Sequence, residues 1–193
     1  KEGFEVTPSG THHKVFLSNR YVIRFQDNNP KLLLREANFL KQLHHPLIPR
    51  VLWEGKIGKS IVAVENRLPG KNINILWKTL QKTNQTNIIK QIVQFLQYLK
   101  SQTKDNIYSV NTGKNYNNFS DYLTDAIKQK IVRIKKVKQT GKVLKDLLLV
   151  IEKTETKNLF FNKEGATLVH GDLIIHNLLT DGKNLTGVLD WEL

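Results

Sequence analysis

Leu168-Val169-His170-Gly171-Asp172-Leu173-Ile174-Ile175-His176-Asn177-Leu178-Leu179, followed by Gly187-Val188-Leu189-Asp190-Trp191-Glu192, is the stretch around which the rest of the chain is organised. Its pattern predicts a short apolar strand, a polar loop carrying an Asp and an Asn, a second short strand, a turn at Asp181-Gly182 and a third strand that ends in another Asp. Turn residues between short apolar runs suit tight β connections. The arrangement brings three oxygen-bearing side chains, Asp172, Asn177 and Asp190, to the same ends of neighbouring strands.

Phosphoryl transfer uses such a set: one carboxylate near the attacking hydroxyl, and a carboxylate plus an amide oxygen on Mg²⁺. The spacing makes the signal specific. Asn177 lies five positions after Asp172 (177 − 172), and Asp190 lies thirteen after Asn177 (190 − 177). This is similar to the catalytic loop and metal-binding Asp of protein kinases, where H-R-D-L-x-x-x-x-N precedes D-F-G. Here the first motif reads His170-Gly171-Asp172 and the second Asp190-Trp191-Glu192. Together the two variants resemble the aminoglycoside phosphotransferase family, whose relatives include choline kinase-like and other small-molecule kinases. A plain β-hairpin with Asp and Asn in its turns accounts for either motif alone; both at these spacings favour the kinase-like reading.

The resemblance implies an α+β, protein kinase-like fold. A small N-terminal antiparallel sheet lobe with one helix (residues 1–66) would bind the nucleotide. The hinge and a mainly helical, truncated C-terminal lobe (67–193) would carry the catalytic loop. The implied cofactors are ATP and Mg²⁺, and the implied partner is a small-molecule hydroxyl acceptor. Asp172 would orient the acceptor hydroxyl and take its proton late, while Asn177 and Asp190 would hold the metal. His170 is expected to pack and hydrogen-bond within its loop and not to act as the base. Trp191 is expected to pack behind Asp190.

Working outward, Phe4-Glu5-Val6, Lys14–Leu17 and Tyr21–Phe25 read as strands, with turns at Pro8-Ser9-Gly10-Thr11 and Ser18-Asn19. The resemblance makes the Pro8 to His13 turn the loop over the ATP phosphates, with the N–H groups of Ser9, Gly10 and Thr11 facing phosphate oxygens. It keeps one glycine where protein kinases carry three. Period-two alternation sets Val22 and Arg24 on one strand face and Tyr21, Ile23 and Phe25 on the other. The first face would line the nucleotide slot, Val15 and Val22 packing on adenine and Arg24 reaching the α/β-phosphates. Protein kinases place Lys there; a guanidinium keeps the charge but differs in reach.

Leu32 to Leu43 has helical spacing at Leu33, Ala37 and Leu40, and Glu36 borders that stripe. In a kinase-like lobe the helix glutamate meets the strand cation at this place, so the resemblance pairs Glu36 with Arg24, as a positioning device of the exposed ion-pair kind that contributes only ~0–1 kcal/mol to stability. The adjacent His44 and His45 suit capping and loop roles better than metal binding, because neighbouring residues rarely face one site. Arg50–Glu54 and Ser60–Glu65 read as strands around a Gly55–Lys59 turn. Glu65-Asn66-Arg67-Leu68-Pro69-Gly70 suits a hinge, and the resemblance implies that backbone groups of Glu65 and Arg67 meet the adenine edge. Beyond it, Asn87–Lys100 reads as a core helix, 101–118 as a polar loop, and Phe119–Gln139 and Lys142–Lys153 as helices that shape the substrate side in this family.

Composition bounds the alternatives. Thirty Lys and Arg against 17 Asp and Glu give a net charge of +13, but the lysines are scattered. The densest cluster, Lys128, Lys130, Arg133, Lys135, Lys136 and Lys138, lies in a helical pattern without interleaved aromatics, which reads as a solvated face and argues against a nucleic-acid partner. No apolar run reaches the roughly 18 residues of a membrane span, and the start has no apolar signal region. With no cysteine present, the expected location is cytoplasmic, with no membrane partner. The chain opens on Lys1 and stops at Leu193, just past Asp190; it is expected to be part of a longer product, since family members continue with helices that wall the acceptor pocket. Two other readings compete with the phosphotransferase: a catalytically weak nucleotide-binding relative, and a basic nucleic-acid-binding module.

Overall fold

Runs of Val, Ile, Phe and Tyr between Gly, Ser and Asn give the first third of the chain its sheet. A computed structural model of the chain describes residues 3–6, 14–27, 29–104, 107–117, 119–135 and 166–191. Strands β1 (Glu5–Val6), β2 (Lys14–Leu17), β3 (Tyr21–Gln26), β4 (Val51–Ile57) and β5 (Ser60–Asn66) form a five-stranded sheet in the order β1-β2-β3-β5-β4. All four pairings are antiparallel. β4 runs on to Ile57 because its turn into β5 is only Gly58-Lys59, shorter than the expected Gly55–Lys59, with Gly58 at φ 61°. A two-residue hairpin loop needs that left-handed backbone, which glycine adopts without strain.

Helix α1 (Pro30–Leu40) begins with Pro30, whose fixed φ and missing N–H suit a first turn. It ends at Leu40 and not Leu43, because the N–H groups of Gln42 and Leu43 turn back only three residues, to Phe39 and Leu40. Leu32, Leu33, Ala37 and Leu40 are buried, and Glu36 is buried with them, inside the stripe and not at its border. The loop that follows is fixed by His45. Its Nδ1 accepts the N–H of Leu47 at 3.2 Å, and its ring packs on Phe95 and Tyr98.

After the hinge come β6 (Lys71–Asn72), α2 (Ile73–Leu76), a 3₁₀ turn at Trp77–Thr79 and α3 (Lys82–Ser101). α3 starts earlier than expected, and only Ile88, Phe95 and Leu99 of its apolar stripe are buried; Ile89, Val93 and Leu96 are about half exposed. Residues 101–118 are not all loop. They carry β7 (Thr103–Lys104), β8 (Ile107–Ser109) and β9 (Lys114–Tyr116), too short for alternation to be readable, with β8 paired to β9. Helix α4 (Phe119–Lys135) follows, its Asp125 accepting from Lys114 of β9 at 3.0 Å and from Gln129 at 3.1 Å. The apolar strand expected at Leu168-Val169 lies just before it, as β10 (Ala166–Thr167), where the partner is β7. Last come β11 (Leu178–Thr180) and β12 (Leu185–Val188), in a three-stranded sheet of order β12-β11-β6.

The chain is thus α+β, and it divides into two compact units. One contains Lys1–Lys100, Val110–Gly113 and Val169–Leu193; the other contains Ser101–Ser109 and Lys114–Leu168. The Ser9-Gly10-Thr11 turn, residues 136–139 and the Lys142–Lys153 helix lie outside the described residues. No helix among the described residues is long and apolar enough to cross a membrane.

Candidate functional site

The polar loop before β11 is closed by its own side chains. Gly171, at φ 85°, turns the chain between His170 and Asp172. The Asp172 carbonyl accepts from Ile174 N–H, and the Ile174 carbonyl accepts from Asn177 N–H, both at 2.9 Å. The Asn177 side-chain amide donates back to the Asp172 carbonyl at 3.0 Å and to its Oδ2 at 3.2 Å. The Nδ2 edge of buried Asn177 is held this way, which fixes the orientation of its side-chain amide.

Asn177 immediately precedes β11 and Asp190 follows β12 two residues on. Because Leu178 pairs with Val188 in an antiparallel ladder, Asn177 and Asp190 lie at one end of the hairpin. Leu189 N–H donates to the Asn177 carbonyl at 2.8 Å, closing that end. Asp190 is exposed and sits at φ 67°, the one non-glycine residue with positive φ among those described. Asp tolerates this conformation better than most residues, yet it carries strain, and such strain gathers at functional sites.

His170 joins the two halves. Its Nε2 donates to the Leu189 carbonyl at 2.9 Å, and its Nδ1 accepts the Asp172 N–H at 3.3 Å. A carbonyl only accepts, so Nε2 carries the proton and the ring is neutral. Burial holds its pKa below the ordinary histidine value, against smaller opposing effects of the Leu189 bond and the Asp172 and Glu36 charges. Trp191 lies behind Asp190, buried against His170, Phe39 of α1 and Phe95 of α3, with its Nε1 donating to the Val188 carbonyl at 3.0 Å.

The opposite end of the hairpin is gripped by α3. Asn84, Asn87 and Gln91 follow one another at helical spacing and share a face. Asn84 donates to the Gly182 carbonyl at 3.0 Å and Asn87 to the Lys183 carbonyl at 2.8 Å. Gln91 donates to Asn184 Oδ1 at 3.1 Å and accepts the Leu185 N–H at 2.6 Å. Within the turn, Asp181 accepts the N–H groups of Lys183 and Asn184, and these bonds lower its pKa.

The hinge runs directly into this hairpin. Thr186 donates its hydroxyl to the Pro69 carbonyl at 2.6 Å, and Leu68 is buried against Gly187. Gly70, at φ 103°, lets β6 lie along β11, Lys71 opposite Thr180 and Asn72 opposite Leu179. Asn72 caps α2 through Asn74 N–H at 2.9 Å, and its side-chain amide donates to the His176 carbonyl, next to Asn177. On the other side, Arg67 N–H donates to the Arg20 carbonyl at 2.8 Å and its guanidinium to the Ser18 carbonyl at 2.7 Å.

A second charged centre lies on the sheet. Val15 pairs with Arg24, and Val22 with both Leu17 and Glu65, so these side chains share one face. Arg24 Nη1 donates to Glu36 Oε1 at 2.8 Å, and Nη2 bonds Glu36 Oε2. Nη1 also meets Glu65 Oε1 at 3.3 Å. The side chains of Arg24, Glu36 and Glu65 are only 12%, 1% and 5% exposed. The pair read as exposed is therefore buried, because Glu36 falls inside the apolar stripe of α1.

Asp172, Asn177 and Asp190 are thus linked through one loop and hairpin end, and Val22, Arg24, Glu36 and Glu65 share the sheet-and-helix face. The N–H of Arg67 is engaged within the chain. Sequence reasoning did not find the Glu65 carboxylate, the Asn84-Asn87-Gln91 row or Asn72. Period-two alternation on β5 against β3 carries the signal for Glu65; the amide spacing on α3 carries one for the row. Among the described residues no group of three His, Cys, Asp or Glu side chains forms a metal site. The donor set at the hairpin end is an amide oxygen and a carboxylate, which suits Mg²⁺ because that ion keeps water and phosphate oxygens among its ligands.

Comparison with solved structures places this fold among the aminoglycoside phosphotransferases. The chain is similar to APH(2")-IIa in a streptomycin–ATP ternary complex, with TM-score 0.73 and 20% identity, covering 98% of this chain and 65% of that one. APH(2")-IIa with gentamicin gives TM-score 0.70 and 19% identity over 98% and 64%. A thermostable mutant of APH(4)-Ia with AMP-PNP and hygromycin B gives 0.69 and 18% over 98% and 66%. This chain therefore spans about two thirds of the length of these proteins. Among curated proteins, none matches the sequence. The sequence profile of the phosphotransferase enzyme family (APH) matches residues 4–193, and the chain belongs to that family.

Proposed function

We propose that the protein is an ATP-dependent phosphotransferase that moves the γ-phosphoryl group to a hydroxyl of a small molecule. The observation that supports this most is the Asp172–Asn177–His170–Leu189 network, which holds one carboxylate across from the hairpin end that carries Asn177 and Asp190. Residues 1–66 form the nucleotide-binding part and 67–193 the hinge and catalytic part.

Asp172 orients the acceptor hydroxyl and accepts its proton late in the transfer, a role of positioning more than of strong basicity, since the transferred group passes through a loose transition state. The Oδ1 of Asn177 and the carboxylate of Asp190 would hold Mg²⁺, which would supply neutralisation of the phosphate charge. Val15 and Val22 pack on the adenine, Arg24 faces the α/β-phosphates, and Glu36 holds Arg24. The Ser9, Gly10 and Thr11 N–H groups cover the phosphates, and backbone groups at Glu65 meet the base edge together with the carbonyl of Arg67, whose N–H is held by Arg20. The neighbours' complexes with streptomycin, gentamicin and hygromycin B support a polyhydroxylated small-molecule acceptor; choline- and sugar-type acceptors remain alternatives. The cytoplasm is the proposed location.

The test is transfer from Mg·ATP to a panel of aminoglycosides, choline and sugars, read by mass spectrometry of the acceptor. Transfer that disappears in Asp172→Asn and Asp190→Asn is expected. Failure of Mg·ATP to raise the melting temperature, together with no transfer to any acceptor, would sink the reading. A second reading, nucleotide binding with little turnover, is favoured by the two carboxylates already on Arg24; it predicts thermal stabilisation by Mg·ATP without product.

A further inference from the structure

Arg24 contacts carboxylates from two separate elements, and the two contacts differ. Glu36, on α1, takes both Nη atoms. Glu65, near the end of β5, takes Nη1 alone at 3.3 Å. The strand register explains how one side chain reaches both. Glu65 pairs with Val22, while Arg24 pairs with Ala63, so Glu65 lies diagonal to Arg24 on the same sheet face. A diagonal neighbour at roughly 7–8 Å is within reach of a long side chain only.

The chemistry of position 24 follows. A guanidinium has a planar fork, so Nη1 can offer one hydrogen to each glutamate while Nη2 completes the bidentate grip on Glu36. A lysine ammonium is one centre on a thinner stem; it can settle on Glu36 or lean toward Glu65, and it cannot take Glu36 bidentately. Glu65 is 5% exposed, so the loss of its Arg24 contact removes a cation from a buried carboxylate. One residue past the end of β5, Arg67 ties the hinge to the β2–β3 turn.

We propose that Glu65 is a positioning residue for Arg24, and that arginine at 24 and glutamate at 65 are a matched pair that sets the cation between helix and hinge. The proposal rests on the reading of Arg24 as a phosphate-facing cation. It implies that Arg24→Lys, although it installs the residue protein kinases carry, harms this protein, and that removing the Glu65 charge relieves the harm.

The experiment is a double-mutant cycle on the whole chain with Arg24→Lys, Glu65→Gln and the double variant. Dissociation constants for Mg·AMP-PNP and melting temperatures without nucleotide are measured for each. Arg24→Lys is expected to weaken nucleotide binding about tenfold, and the double variant to recover at least about threefold of that loss and to melt above Arg24→Lys, a coupling of the size seen between residues in contact. Glu65→Asp, which keeps the charge and loses the reach, is expected to melt below Glu65→Gln, because it leaves a buried carboxylate away from the Arg24 guanidinium. Wild-type affinity in Arg24→Lys, or effects of the two substitutions that simply add, would overturn the matched pair. Should the unaltered chain have no affinity for Mg·AMP-PNP, the nucleotide reading falls by itself. The melting-temperature cycle then still decides: coupling sustains the match, additivity ends it.

Discussion

Around Arg24, three charges sit inside the protein and hold one another; at the hairpin end, the half-buried Asp172 carboxylate is met by the neutral amide of Asn177, and Asp190 is exposed. In the first region the positioning force is charge itself, so altering a partner strands another charge in a medium that solvates it poorly. In the second, an imidazole, an amide and backbone groups fix the loop, while Asp190 stays open to solvent. A charge held by neutral groups can be given to a ligand without dismantling the fold. The substitutions below separate the two regions.

The largest effect is expected at the open region and in activity alone. Asp190→Asn keeps a side chain that tolerates positive φ, so transfer should fall at least about 10³-fold while urea-derived stability stays within about 0.5 kcal/mol of wild type. Asp190→Ala should add a backbone cost of about 1 kcal/mol, since alanine has no local compensation for the left-handed conformation. Equal losses of stability in both variants would mean that the carboxylate is structural.

Glu36→Ala should do the reverse. It leaves Arg24 with Glu65 as its one remaining carboxylate of the two, inside the stripe of α1, and should cost about 3–5 kcal/mol in urea unfolding. A loss below about 1 kcal/mol would return the pair to the exposed class and erase the contrast.

Smaller effects test what holds the hairpin. Gln91→Ala removes the acceptor of Leu185 N–H and one donor to Asn184, and should cost about 1–3 kcal/mol. The row grips the end of the hairpin opposite Asn177 and Asp190, so kcat is expected to fall with their looser placement. The pH dependence is the mildest test. Burial lowers the pKa of His170, and of His45 likewise, so the unfolded chain binds more protons than the folded one at mildly acidic pH. Stability should therefore rise with pH through this window and be lost as pH falls below about 6.5, the unfolded histidine value. His170→Gln should flatten that slope; an unchanged slope would leave His45 as its source.

The parts legible in the sequence are those fixed by short spacing or by one dominant periodicity. Asp172 and Asn177 lie on one loop, and Asp190 ends the next hairpin, so their common end follows from turn signals alone. The five-stranded sheet and α1 follow from alternation and from Leu33, Ala37 and Leu40. Glu36 was found as the partner of Arg24, yet its burial was missed, because helical spacing alone does not tell the edge of a stripe from its interior. The Glu65 carboxylate was missed because alternation gives its strand face but not the register that sets it diagonal to Arg24, and Asn72 because its amide reaches the His176 carbonyl over 104 residues. β6 to β9 escaped because strands of two or three residues show no period.

Gly70 draws these threads to a practical end. A Cβ there would stand 2.6 Å from the Thr180 carbonyl oxygen and 2.5 Å from Thr186 Oγ1, and the backbone at φ 103° resists side chains in any case. One added methyl at this joint would wedge the linker away from the strand that begins beside Asn177. Position 70 is thus a lever arm: the smallest possible chemical change there would be transmitted to the hairpin end that carries Asn177 and Asp190.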